Sequence, residues 1–175
     1  NDTQLAPVVS FKPLLKDEGP YYENINRGSK SAYDYADSIN KVISYGGYVS
    51  VLTPKLSDAS DYSLYQLVII NEDETISAVQ ATSLDTDRAG IILGIVTETV
   101  PVKYVVCLFC PNLIVPSSVI ASLPAVNTLM YSTSTGSPAS PLTSSIGSAG
   151  LLSNRPIAKV TGRYSIFFSG TSNIF

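Results

Sequence analysis

The chain contains no histidine and no tryptophan, and only two cysteines and one methionine in 175 residues. Without histidine there is no Ser-His-Asp or Cys-His nucleophile and no imidazole to hold a metal. Charge is scarce as well. Asp, Glu, Lys and Arg make up 14% of the chain, against about 25% in ordinary soluble domains. A surface so poor in charge must be polar through Ser, Thr, Asn and Tyr, or be covered by partners, and large bare apolar patches are uncommon on monomers. The apolar runs, such as Ile91–Val96 with its one glycine, fall far short of the ~20 residues of a membrane helix. No signal peptide is expected from the first residues, and no membrane insertion.

Other motifs are missing too. There is no P-loop and no dinucleotide-binding glycine pattern. The acidic run Glu72-Asp73-Glu74 lacks the spacing and glycine of a calcium loop. Paired carboxylates for glycoside hydrolysis would have to come from Asp58, Asp61, Asp85 and Asp87. All four stand beside Ser, Thr or Ala in turn-like segments, where Asp serves turn hydrogen bonds. Cys107 and Cys110 match C-x-x-C, but they lie in an apolar, β-prone run rather than at a helix N-terminus. On a regular strand, residues three apart face opposite sides, which disfavours a mutual disulfide. The expectation is two buried thiols acting as small hydrophobes. Nothing here points to an enzyme, a cofactor or a metal.

Charge is uneven along the chain. Residues 1–90 carry 13 acids and 7 bases, a net −6, while residues 91–175 carry Glu98 and four bases, a net +3. No basic cluster occurs in either half, so no nucleic-acid partner is expected.

What is present is hydrophobic, β-prone and rich in tyrosine. Hydrophobic residues are 45% of the chain, which is incompatible with a disordered composition. Residues 1–30 read as an extended arm: Pro7, Pro13 and Pro20 break any helix, and Gly19-Pro20 marks a turn. Residues 31–45 are the one helix candidate, with Ser31 able to N-cap and Gly46-Gly47 as the stop. Ala32, Tyr35, Ile39 and Val42 form an apolar stripe there. It suits the domain's own sheet better than a coiled-coil seam, being under two heptads long. From Tyr48 onward, short runs of Val, Ile, Tyr and Phe alternate with turns. They predict strands at 48–53, 65–71, 75–82, 91–98, 102–110, 128–132, 156–161 and 163–169. Asn71–Glu74 reads as a hairpin loop, and Pro101 separates two of the runs. The fold class is therefore mainly β: an antiparallel β-sandwich or barrel with an extended N-terminal arm and one short helix. Two regions follow, an arm with helix at 1–47 and a β domain at 48–175.

Tyr131–Ser148 is a Ser/Thr/Gly/Pro-rich loop, read either as a plain connector or as an exposed, mobile, ligand-facing loop. Eight of the eleven tyrosines fall in the first 65 residues, and tyrosine suits interfaces because it buries area while keeping a polar tip. The candidate anchor and interface residues are Val8, Val9, Phe11, Tyr21, Tyr22, Tyr35 and Ile39.

The second half also carries a recognisable cadence. Tyr65–Asn71 and Ile76–Ala81 lead to Ala89–Thr97 and Val102–Cys110. Leu129–Gly136 then precedes Arg155–Val160 and the closing Ile166-Phe167-Phe168. Over residues 62–170 this resembles the β-domain of tailed-bacteriophage fibre, head-fibre and capsid-decoration proteins. One departure is Asn127 at a position where that pattern has glycine; Asn tolerates a left-handed backbone better than most residues. Ala158 is another such replacement.

The resemblance implies a structural virion protein that decorates the head or forms part of a fibre. It implies a homotrimer at the particle surface, assembled in the host cytoplasm, in contact with the major capsid protein or other virion proteins, with the host cell surface as a further contact. Two alternatives stand beside it. One is a receptor-binding module for host glycans. The other is a jelly-roll coat protein of a small virus, which the neutral charge of residues 1–30 disfavours.

Overall fold

The computed structural model describes residues 39–55, 61–80, 82–83, 86–138, 140–145, 155–171 and 174–175. The arm, and the proposed helix up to residue 38, lie outside them. Among the described residues nine strands form: β1 Tyr48–Pro54, β2 Leu67–Ile70, β3 Thr75–Ala78, β4 Arg88–Val96, β5 Lys103–Ile114, β6 Leu129–Ser132, β7 Leu142–Thr143, β8 Ala158–Gly162 and β9 Ser165–Ser169. Only the two-residue β7 has no counterpart among the sequence-derived strands, because two residues carry no periodicity.

The pairing order is β1-β3-β2-β4-β5-β9-β8-β6-β7, with a further pairing of β1 to β5. That extra pairing closes the first five strands into a ring. An odd ring cannot be antiparallel throughout, and here the parallel pair is β1 with β3, at Thr53↔Thr75 and Pro54↔Ile76. The ring's interior takes side chains from every member: Leu52, Ile76, Val68, Ile70, Ile92, Tyr104 and Val106, all buried. Tyr62 adds its ring edge-on to Tyr104 at 5.3 Å. Such a small barrel is filled by its own side chains. Gly90 is required by this filling: a Cβ there would come within 2.2 Å of Val106 Cγ1.

β5 is long enough to serve two sheets. Residues 103–107 pair with β4, and residues 109–114 pair with β9. Beyond it, β9, β8 and β6 extend the sheet. A second, larger core forms outside the barrel. Leu67, Ile69, Ile91, Leu93, Val105 and Cys107 supply one side, and Met130, Ala158, Val160, Ile166 and Phe168 the other. The central strands are thus buried on both faces, which is why they read as near-continuous apolar runs.

The helix over residues 39–44 packs on this second core through Ile39 and Val42, both buried. It ends as the sequence requires. Gly46 has φ +85°, Gly46 N–H donates to Ile43 O at 3.0 Å, and Gly47 N–H donates to Val42 O at 2.9 Å. This is the Schellman pattern. Gly47 then passes against β5, where a Cβ would lie 2.4 Å from Phe109 O.

The hairpin at Asn71–Glu74 is as expected, with Asn71 N–H donating to Thr75 O at 2.8 Å and Glu74 N–H to Asn71 O at 3.0 Å. Glu74 occupies the left-handed position at φ +65° that glycine usually takes in such loops. Asn127, in the turn before β6, is likewise left-handed, at φ +76°.

The segment 131–145 departs from the picture of an exposed, mobile loop. Tyr131, Ser132, Gly136, Pro141 and Leu142 are buried. Leu67 N–H donates to Gly136 O at 3.0 Å, and Thr133 Oγ1 donates to Ser140 O at 2.8 Å. Leu142 joins the second core. The packing follows from Leu142, which offers apolar burial, and from Gly136, which lets the backbone approach β2, while Ser134, Thr135, Ser140, Ser144 and Ser145 stay exposed. Residues 146–148 lie outside the described residues.

Candidate interaction surface

Alternation along a strand sends neighbouring side chains to opposite faces. In β9, Ile166 and Phe168 enter the second core, so Phe167 faces outward. In β5, Cys110 goes inward and Phe109 outward. β1 places Tyr48 opposite Phe109. The result is a row of rings across the outer face of the sheet. Tyr48 stacks on Phe109 at 5.6 Å between centroids and 25° between planes. Phe109 meets Phe167 edge-on at 5.5 Å and 84°, and Phe167 meets Phe175 edge-on at 5.5 Å and 81°. Each pair contributes about 0.5–1.5 kcal/mol beyond its buried area. The other three rings are half-buried, and Tyr48 is 53% exposed.

Register carries the row onward. Lys159 lies opposite Phe167 and opposite Leu129 on its other side, so all three share this face. β1, β5, β6, β8 and β9 contain no acidic residue; Lys103 and Lys159 are their only charged side chains. The face is aromatic and basic, with no carboxylate on its own strands.

Behind β5, on the side of the helix, lies a cleft of about 130 Å³ lined by Lys41, Val42, Tyr65, Asn112, Leu113, Ile114 and Pro116. Tyr65 stands at φ +66°, a left-handed conformation unusual for a bulky residue. Its N–H donates to Ile92 O at 2.7 Å. The cleft is small and contains one charged group, so it lacks the converging polar groups of a ligand site.

Cys107 and Cys110 are free, fully buried and part of the second core. Burial pushes the Cys107 thiol well above its ordinary pKa, with Cys110 nearby adding to the effect. Burial also raises Cys110.

Of the residues proposed from sequence as anchors, Val8, Val9, Phe11, Tyr21, Tyr22 and Tyr35 lie outside the described residues. Ile39 is corrected as an interface residue: it is fully buried in the chain's own core, leaving no surface for a partner. This matches the own-sheet packing that its spacing favoured. Asp58 and Asp85 also lie outside the described residues. Asp61 is exposed, and the Asp87 carbonyl accepts a 2.7 Å hydrogen bond from Arg155. Among the described residues no cluster of three or more His, Cys, Asp or Glu side chains is placed to hold a metal. None of their helices is long and apolar enough to cross a membrane.

Sequence reasoning missed Phe109, Phe167 and Phe175. The signal was available in Phe167-Phe168: on a strand with one buried face, one of two adjacent rings must point out. No family model, curated protein or solved structure matches this chain.

Proposed function

We propose that the chain is a structural component of a bacteriophage particle, acting by contact rather than catalysis, as a head-fibre or capsid-decoration protein or part of a fibre. The resemblance over residues 62–170 supports the reading, and so does the β-rich architecture. The observation that carries it is the aromatic row Tyr48–Phe109–Phe167–Phe175. These rings stand on a rigid sheet whose opposite face is a packed core, so the face is preorganised for burial against another surface. Aromatic residues on faces low in charge characterise the buried centres of protein interfaces. A homotrimer bound to capsid or other virion proteins would cover the rings.

The test has two parts. Light scattering on the purified chain at micromolar concentration is expected to give three times the 18.6 kDa protomer mass. Gradient-purified particles from the source are expected to contain the chain in fixed ratio to the major capsid protein. A stable monomer together with particles free of the chain overturns the proposal.

A further inference from the structure

The two ends of β5 carry complementary surfaces. Residues 97–101 form the loop that enters it from β4, and Val100 stands on that loop 99% exposed. Among the described residues no other large hydrophobic side chain exceeds 56%. The loop is shaped from within. The Thr99 hydroxyl donates to Pro101 O at 2.9 Å, and its oxygen lies 3.3 Å from Val96 O. One exposed apolar residue is ordinary on a surface. One fixed at the tip of a hairpin is a knob.

At the far end of β5 lies the cleft of about 130 Å³. Its apolar lining is Val42, Tyr65, Leu113, Ile114 and Pro116. The volume equals roughly four water-sized groups at about 30 Å³ each, which admits the three side-chain carbons of a valine. The rim is apolar as well. Tyr45, Ile114 and Tyr164 are three of the seven exposed large hydrophobic residues among the described residues, and all three stand here. Tyr45 N–H donates to Lys41 O at 3.1 Å, one helical turn back, and Val115 N–H donates to Tyr164 O at 2.7 Å. Charge follows the same division. Glu98 is the one charged group of the loop. The cleft end has Lys41 in its lining and Arg163 at 5.2 Å from the Tyr164 ring centre.

The knob and the cleft of one chain do not meet. The twelve residues of β5 lie between them, more than about 30 Å at 3.3 Å per residue even with two bulged residues left out. We propose that the Val100 tip of one copy seats in the cleft lined by Val42, Tyr65, Leu113, Ile114 and Pro116 of a second copy. The contact joins two different surfaces of the same chain, so each copy offers one tip and one cleft, and repetition with a closing rotation builds a ring. It presupposes the homo-oligomer proposed above and assigns the contact between copies to the ends of β5. The aromatic row stays available to other virion proteins.

Sedimentation of the full-length chain at micromolar concentration reads the contact. Val100→Asp places a carboxylate on the exposed tip and is expected to weaken self-association about a hundredfold, with the β fold intact by circular dichroism. Ile114→Asp, at an exposed position of the cleft, is expected to do the same. Mixing the two variants is expected to restore a single contact. The intact tip of the Ile114→Asp chain enters the intact cleft of the Val100→Asp chain, giving a species of two protomers that grows no further. A mixture that stays monomeric overturns the proposal. A Val100→Asp chain that associates like wild type also overturns it, while leaving the homo-oligomer standing on another surface. A monomeric wild type overturns both. A second measurement does not depend on the Ile114 variant. With p-benzoylphenylalanine at position 100, irradiation is expected to link peptides containing residues 41–45 or 112–116, between isotope-heavy and light chains. Links to other segments, or links within one chain alone, overturn the proposal.

Discussion

Cys107 and Cys110, three positions apart on one strand, both face the second hydrophobic core. Regular pleating would send them to opposite sides. The register supplies the reason: Val49 lies opposite Cys107 but Tyr48 lies opposite Phe109, so Leu108 is an extra residue against β1. A bulge of this kind shifts the alternation by one. A second follows at once. Cys110 pairs with Phe168 and Leu113 with Ile166, which leaves one surplus residue in the Pro111-Asn112 stretch, where proline lacks the N–H for a regular ladder. Core positions on β5 therefore run 105, 107, 110 and 113.

The cysteines give the first prediction. Cys107→Ser buries a hydroxyl in an apolar core and is expected to cost about 1–3 kcal/mol, read from urea unfolding. The thiol's pKa is raised in the fold, so the unfolded chain loses this proton first as pH rises. The stability it contributes is complete below about pH 8.5, the unfolded value, and is lost progressively above it. Comparing wild type with Cys107→Ala between pH 7 and 10 should show the steeper loss in wild type. An equal pH dependence in both would refute this assignment.

Gly136 is predicted to be irreplaceable. Its φ is +62°, and a Cβ would lie 2.6 Å from Leu67 O, which is backbone and cannot step aside. Gly136→Ala combines a left-handed alanine with this clash, and a loss of more than about 2 kcal/mol is expected. The m-value should stay unchanged. A loss below about 0.5 kcal/mol would mean that the 133–141 segment does not hold the packed position described.

Glu74 offers the opposite case. Its left-handed backbone, φ +65°, costs about 1 kcal/mol in a non-glycine residue. Its ion pair with Arg88, 3.2 Å with both side chains more than a third exposed, contributes about 0–1 kcal/mol. Glu74→Gly is therefore expected to range from neutral to about 1 kcal/mol stabilising, with the gain larger at high salt, where the lost pair was worth less. Thermal melts at low and high ionic strength decide it. A clear loss at both would show that the ion pair outweighs the backbone strain.

Asp73 should titrate below an ordinary aspartate. The hydroxyl of Thr75 donates to Asp73 Oδ1 at 2.6 Å, and this bond leads the causes of the lowered pKa, followed by the Thr75 backbone N–H. The folded pKa is depressed, so the stabilisation is present above about pH 3.9, the unfolded value, and is lost as pH falls through the folded one. A carbon-detected NMR titration of wild type and Thr75→Val is expected to show the Asp73 midpoint moving up in the variant. An unmoved midpoint would exclude the hydroxyl as the main cause.

The sequence by itself determined the β-rich class, the hairpin at Asn71–Glu74, the helix stop at Gly46-Gly47 and eight of the nine strands. These are local matters: Val, Ile and Tyr suit a pleated surface, and glycine alone takes φ +85° without strain. The absence of histidine is equally local and removes whole classes of chemistry before any fold is considered. Tertiary structure alone decided the rest. Closure of five strands into a ring depends on β1 meeting both β3 and β5, a pairing across more than fifty residues that no local pattern encodes. The two bulges in β5 reset which residues face the core, because register is set by the partner strands. The Ser/Thr-rich segment packs because Leu67 and Gly136 meet in space. The aromatic row exists because three strands and the C-terminal residues bring one ring each to a common face, where composition and periodicity, read along a single strand, have no view of the neighbours.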